Sequence, residues 1–168
     1  MKGDKLDDFK VPKHIKKKLD DTEWLKKELA KGKTAKEILQ LTDKMMAEFY
    51  DAAHELYEHE YYGGAGNAFM FLVTLNPTNP EYWLGLGMSM QKCGQYEDAI
   101  HAYEMAAFYK FDSPIPYFYL AKCLFAVQDG ISALQALDLA LEFAADQAEF
   151  AELRQQAMLT KKFFLGGE

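Results

Sequence analysis

The sequence predicts an all-α fold: a superhelical solenoid of three paired-helix units, with a helical extension before it and a capping helix after it. The first observation is a repeat, since Pro80-x-x-Trp83-x-x-Leu86-Gly87 returns 34 residues later as Pro114-x-x-Tyr117-x-x-Leu120-Ala121. The second is that small residues keep the same period. Gly87, Ala99 and Ala106 of one unit correspond to Ala121, Ala133 and Ala140 in the next, and to Ala53, Ala65 and Leu72 in the one before. Small side chains let two helices cross closely, and one larger residue per unit, Phe69, Tyr103 or Leu137, fills the gap beside the crossing. An ordinary antiparallel bundle has no reason to hold its small residues to a fixed spacing. The third observation is that no segment reads as a credible strand.

A 34-residue period is the tetratricopeptide signature, and the elements follow in order. Residues 1–20 are polar and charged, are broken by Pro12, and are expected to be a flexible lead-in. Residues 21–45 form the helical extension. Trp24, Leu25 and Leu29 make one apolar stripe that ends near Gly32, and Thr34-x-x-Glu37 is a capping box opening a short helix that carries Ile38, Leu39 and Leu41. Thr42 or Asp43 caps the next helix, the first of the repeats, which occupy residues 46–147. Asn76-Pro77 and Asn79-Pro80 make the turn between the first and second units, because proline cannot continue a helix. Residues 148–168 supply a capping helix, starting near Gln147 with Phe150, Leu153 and Ala157 on one face, and a tail from Lys161 that is expected to be mobile.

The one-sided helix around Trp24, Leu25 and Leu29 needs a cover. It either folds back on the first repeat or pairs with a second copy of the chain. Trp24 favours a dimer interface, because large aromatics are enriched at interfaces.

Composition narrows the function classes. The 168 residues carry a net charge of −7, yet residues 1–33 hold 11 Lys against 7 Asp and Glu, which leaves −11 on the rest. An acidic repeat body argues against a nucleic-acid surface, and the lysines of the start are interrupted by Asp20, Asp21, Glu23 and Glu28, as on a solvated helical face. Cys93 and Cys123 lie in different units and make no disulfide framework, so both are expected to be buried thiols in a reducing cytoplasm. No signal-peptide core opens the sequence, and no apolar run approaches the roughly 18 residues of a membrane span. The expectation is a soluble protein that stays in the cell that makes it.

Catalytic chemistry finds no constellation. His54-Glu55-x-x-x-His59 resembles the zinc-protease helix, but histidines five apart lie about 140° apart around a helix and cannot share a metal. No glycine-rich phosphate loop follows a strand. Neither an enzyme nor a bound cofactor or metal is expected.

The groove is the informative surface. In a tetratricopeptide unit the first helix lines the concave face, which places Tyr50, His54 and Tyr57 there at i, i+4 and i+7. The second unit adds Leu84, Met88 and Gln91, and the third adds Phe118, Lys122 and Phe125 with Tyr119 beside them. This aromatic and thioether trough carries few charges and suits a peptide. A carboxylate clamp of the co-chaperone type would need Lys, Asn and Arg where Tyr50, His54, Gly85, Ile115 and Tyr119 stand, so a peptide C-terminus is not the expected ligand.

Several motifs together resemble one family. They are Tyr50-x-x-Ala53-x-x-x-Tyr57, Tyr62-x-x-Ala65, Trp83-Leu84-Gly85-Leu86-Gly87, Gly94-Gln95-Tyr96-x-x-Ala99-Ile100-x-x-Tyr103 and Ala121-Lys122-Cys123-Leu124. From about Thr34 to the end of the third repeat the chain is similar to the class II chaperones of type III secretion systems, which serve hydrophobic translocator proteins. The resemblance implies a bacterial cytoplasmic homodimer whose groove holds an extended Pro-x-Leu-x-x-Pro-like translocator segment, with no nucleic acid and no insertion into a membrane. It maps groove tyrosines onto Tyr50, Tyr57, Tyr62 and Tyr103. His54 stands where relatives commonly carry an aromatic ring, a departure that changes one pocket's depth or makes binding pH-sensitive. Gly63-Gly64 replaces the usual Glu-Asp and is expected to loosen the first unit's inter-helix turn. The competing expectation is a generic tetratricopeptide scaffold that bridges two proteins of another pathway.

Overall fold

The computed structural model describes residues 13–166. Two short helices, α1 (Lys13–Asp20) and α2 (Thr22–Ala30), lead into a single turn, α3 (Ala35–Ile38). Three helix pairs follow: α4 (Asp43–Glu58) with α5 (Tyr62–Leu75), α6 (Pro80–Lys92) with α7 (Tyr96–Tyr109), and α8 (Pro114–Ala126) with α9 (Gly130–Ala144). A 3₁₀ turn at Ala148–Phe150 then opens α10 (Ala151–Phe164).

Local sequence sets the helix ends. Asp21, Thr34, Thr42, Asn79 and Asp129 each accept a backbone N–H at an N-terminus, and Thr34 and Glu37 satisfy each other's backbone as a full capping box. Proline stands at the first helical position of α6 and α8, where its missing N–H leaves no intrahelical bond unmade. The first helix of every unit ends alike. Glu60, Gly94 and Gln128, spaced by 34, take φ of 64°, 75° and 66°. The next residue, Tyr61, Gln95 or Asp129, returns its N–H to the carbonyl of Leu56, Met90 or Leu124, which is a Schellman closure. The first unit's turn is therefore as tightly bonded as the others. Gly63-Gly64 does not loosen it, because both glycines lie inside the first turn of α5.

Packing explains the small-residue period. Ala53, Ala65, Ala99, Ala106, Ala121, Ala133 and Ala140 are all fully buried, as are the fillers Phe69, Tyr103 and Leu137. A methyl group on Gly85 would lie 2.3 Å from the Phe69 ring, and one on Gly87 would lie 2.7 Å from the Tyr103 ring. Two rings thus wedge against bare backbone of α6, from the preceding unit and from its own. The core divides into a cluster of Leu39, Met46, Phe69, Leu72 and Tyr82 around the first unit and one of Tyr103, Phe118, Leu137 and Ala157 around the last two. Met90 packs against both.

Three further expectations change. Residues 13–20 are not an unstructured lead-in: they form α1, whose Ile15 is fully buried in the first-unit core, while residues 1–12 lie outside the described residues. The final helix runs through Lys161 to Phe164, because the Phe164 ring stacks on Phe125 of α8 at 3.8 Å with the planes 3° apart. Lys161 also reaches Asp138 of α9 at 2.5 Å. Cys93 is exposed as the C-cap of α6. Only Cys123 is buried, and burial pushes its thiol up to about 12.

Candidate peptide groove

The first helices α4, α6 and α8 bring most of the expected groove residues to one surface. Tyr50, His54, Tyr57, Leu84, Met88, Gln91, Tyr119 and Lys122 are all half-buried, as is Tyr62 at the start of α5. They gather in two aromatic groups.

At the first-unit end, the His54 ring stands edge-on to Tyr50 at 4.4 Å and to Phe69 at 5.3 Å, and Tyr50 leans on Tyr82 of α6 at 5.6 Å. Edge-to-face arrangements suit the quadrupoles of such rings. Beside Tyr50 and Tyr82 lies a pocket of about 370 Å³, walled by Met46, Asn79 and Glu81 and closed by the Lys36–Asp43 ion pair at 2.5 Å. Burial raises the Tyr50 phenol above its ordinary value, with Glu81 adding to it. His54 does not pair with His59 across any metal geometry: His54 packs among the rings, while His59 turns its Nδ1 to the Glu55 carbonyl at 2.7 Å.

At the other end, Tyr57 meets Tyr62 at 5.2 Å, and Tyr119 stacks on Tyr103 at 5.8 Å. Burial raises the Tyr57 phenol, and Tyr62 and Tyr119 add to the shift. Lys122 lies 4.2 Å from the Phe118 ring centre and 5.6 Å from that of Tyr119, and Lys92 lies 5.7 Å from that of Tyr62. Each is a cation–π contact.

Two expected groove residues belong to the floor instead. Tyr103 is fully buried because Gly87 admits its ring, and its hydroxyl donates to Gln91 Oε1 at 2.7 Å. Phe118 is 2% exposed, covered by Lys122 on one side and by the repeat core on the other. In both positions the ring fills interior space rather than facing a ligand. Two residues beside the groove escaped the sequence pattern, Tyr82 as a buried wall of the pocket next to Tyr50 and Lys92 as an exposed cation over Tyr62. Tyr82 hides beside the conspicuous Trp83, and Lys92 follows Gln91 in the last turn of α6, where a lysine also serves as an ordinary helix-end cation.

Against known proteins, no family model matches the chain. The chain is 32% identical over 122 residues to the low calcium response locus protein H of Yersinia pestis, covering 73% of each. The chain belongs to the class II type III secretion chaperones. Solved structures agree. The Yersinia enterocolitica chaperone SycD, in complex with a peptide of the translocator YopD, superposes with a TM-score of 0.72 at 29% identity, over 74% of this chain and 95% of that one. PcrH in complex with the chaperone binding region of PopD gives 0.73 at 25%, over 75% and 95%. Membership displaces the generic scaffold as the alternative.

The chaperone also shows an open apolar face on its helical extension. Leu25 and Leu29 line a cavity of about 530 Å³ between α2 and the first unit, together with Leu19, Leu39 and Phe71. Leu29 is 46% exposed, and Trp24 and Leu25 are half-buried. Among the described residues no helix is long and apolar enough to cross a membrane.

Proposed function

We propose that this chaperone holds an extended, Pro- and Leu-containing segment of a hydrophobic translocator across α4, α6 and α8, and so keeps its client soluble and competent for secretion in the bacterial cytoplasm. The observation that carries this is the set of half-buried aromatic, aliphatic and thioether side chains on the three first helices: Tyr50, His54 and Tyr57, then Leu84 and Met88, then Tyr119, with Tyr62 alongside. An extended proline-containing segment has little conformational entropy left to lose, and spaced aromatic pockets accept its prolines and leucine. SycD and PcrH, which share the fold, are seen with segments of translocators. Sequestration is then mass action, without catalysis: binding lowers the free concentration of the unfolded client and with it its aggregation.

We propose further that residues 21–45 form the dimerisation segment, with Trp24, Leu25 and Leu29 at the interface. The half-covered cavity beneath α2 supports this, and SycD is known in an alternative dimer. Leu29→Lys is expected to shift the sedimentation mass from dimer to monomer with helicity unchanged. An unaltered mass would reduce α2 to a cap on the first repeat.

Groove binding is tested by a fluorescence-anisotropy titration of the whole chain with a labelled Pro-x-Leu-x-x-Pro peptide and a control in which the two prolines and the leucine are alanine. Saturable binding that the control lacks is expected. Equal binding of both, or of neither, would remove the groove function.

A further inference from the structure

We propose that Lys92 and Lys122 form a carboxylate-accepting subsite within the groove, which reads an internal Asp or Glu side chain of the bound client segment and so fixes its register and direction. The inference rests on the groove function above and adds a polar specificity to it.

The two ammonium groups stand out in an acidic setting, since the chain beyond residue 33 carries a balance of −11. Several described lysines pair with carboxylates, Lys36 with Asp43, Lys44 with Glu48 and Lys161 with Asp138; Lys92 and Lys122 differ in resting on aromatic rings. Among the described residues, Lys92 and Lys122 have no carboxylate within 4 Å and lie instead over the rings of Tyr62, Phe118 and Tyr119. Burial holds the Lys122 ammonium below its ordinary value, and the neighbouring Lys92 pushes the same way. Lys122 is half-buried and Lys92 exposed beside it, close enough for their charges to repel, and an incoming carboxylate would relieve that repulsion through charge-assisted hydrogen bonds.

Tyrosines stand beside the lysines as well. The hydroxyls of Tyr57, Tyr62 and Tyr119 donate to no protein acceptor among the described residues, although Tyr57 and Tyr62 pack together and Tyr119 lies against Lys122. A carboxylate accepts several such bonds at once. The occupant is a side chain within an extended segment rather than a chain terminus, because half-buried His54 and Tyr50 of α4 continue the aromatic surface beyond Tyr57 and Tyr62.

The test is an anisotropy series on the whole chain with C-terminally amidated Pro-x-Leu-x-x-Pro peptides, each carrying one Glu, moved through the variable and flanking positions, against the same peptide with Gln. At one or two adjacent positions Glu is expected to bind at least about fivefold tighter than Gln. That gain should shrink with added salt and vanish in Lys92→Met/Lys122→Met, read as the ratio of Glu-peptide to Gln-peptide affinity within that variant. The Glu–Gln comparison on the unaltered protein stands even if the double variant misfolds. Glu no better than Gln at every position, or a gain that survives the double variant, overturns the subsite while Gln-peptide binding leaves the groove function in place. A gain seen only when the amide is replaced by a free C-terminal acid also overturns it, in favour of terminus recognition. Failure of every peptide to bind removes the groove function and the subsite together.

Discussion

The indole N–H of Trp83 donates to the carbonyl of Pro77 at 2.6 Å, and 34 residues later the hydroxyl of Tyr117 donates to the carbonyl of Phe111 at 3.0 Å. Two chemically different donors, at the same place in consecutive repeats, tie the first helix of each unit to the turn it leaves. The contact is local and partly solvated, so its net contribution is about 0.5–1.5 kcal/mol. Trp83→Phe and Tyr117→Phe are each expected to lower the free energy of urea unfolding by that amount without altering the far-ultraviolet spectrum. The two losses should add, since the sites share no partner.

Glu60 and Gln128 hold the left-handed conformation that Gly94 adopts at the matching place in the middle unit. A side chain there is strained by roughly 1 kcal/mol, and glycine is not. Glu60→Gly and Gln128→Gly are expected to stabilise the fold by up to about 1 kcal/mol in chemical unfolding, whereas Gly94→Ala should destabilise it by a similar amount.

Gly85 offers the sharpest packing test. Alanine would ordinarily improve a helix by about 1 kcal/mol over glycine, but here its methyl would enter the Phe69 ring at 2.3 Å. Overpacking wins, and Gly85→Ala is expected to lose about 1–3 kcal/mol in urea unfolding, partly recovered by Phe69→Leu. Gly63→Ala, with nothing within 4 Å of its methyl, should be neutral or stabilising.

The tyrosines separate surface from floor. Tyr57→Ala should weaken binding of the Pro-x-Leu-x-x-Pro peptide by about 1–3 kcal/mol, as for a central aromatic anchor. Tyr103→Phe removes only the hydroxyl that reaches Gln91 and should lower stability by about 1 kcal/mol while leaving peptide affinity unchanged.

The two thiols should differ as strongly. Thiolate is the reactive form, and burial raises Cys123 to about 12, so at pH 8 it is almost wholly protonated as well as shielded. A thiol-exchange assay is expected to count one fast cysteine, Cys93, in the folded chain and two in denaturant. Loss of the fast reaction in Cys93→Ser checks the assignment.

The repeat register was legible because it is written in steric necessity. Gly87 and the seven buried alanines mark each crossing, and Phe69, Tyr103 and Leu137 mark each gap. What lay outside the pattern depended on neighbours that no spacing reveals. Ile15 is the one buried residue in a lysine-rich helix, and only the first-unit core accounts for it. Tyr103 and Phe118 have the chemistry of groove residues but the surroundings of core residues. Lys92 enters the groove through its contact with Tyr62, a relation across units rather than along one helix.

The wedging of Phe69 and Tyr103 against the glycines of α6 has a kinetic meaning for the cargo. A spine locked by rings against backbone cannot clamp down on what lies along it, so all of the ordering falls on the guest segment. Each anchor can therefore let go separately, so a client pulled from one end is expected to leave the groove one anchor at a time.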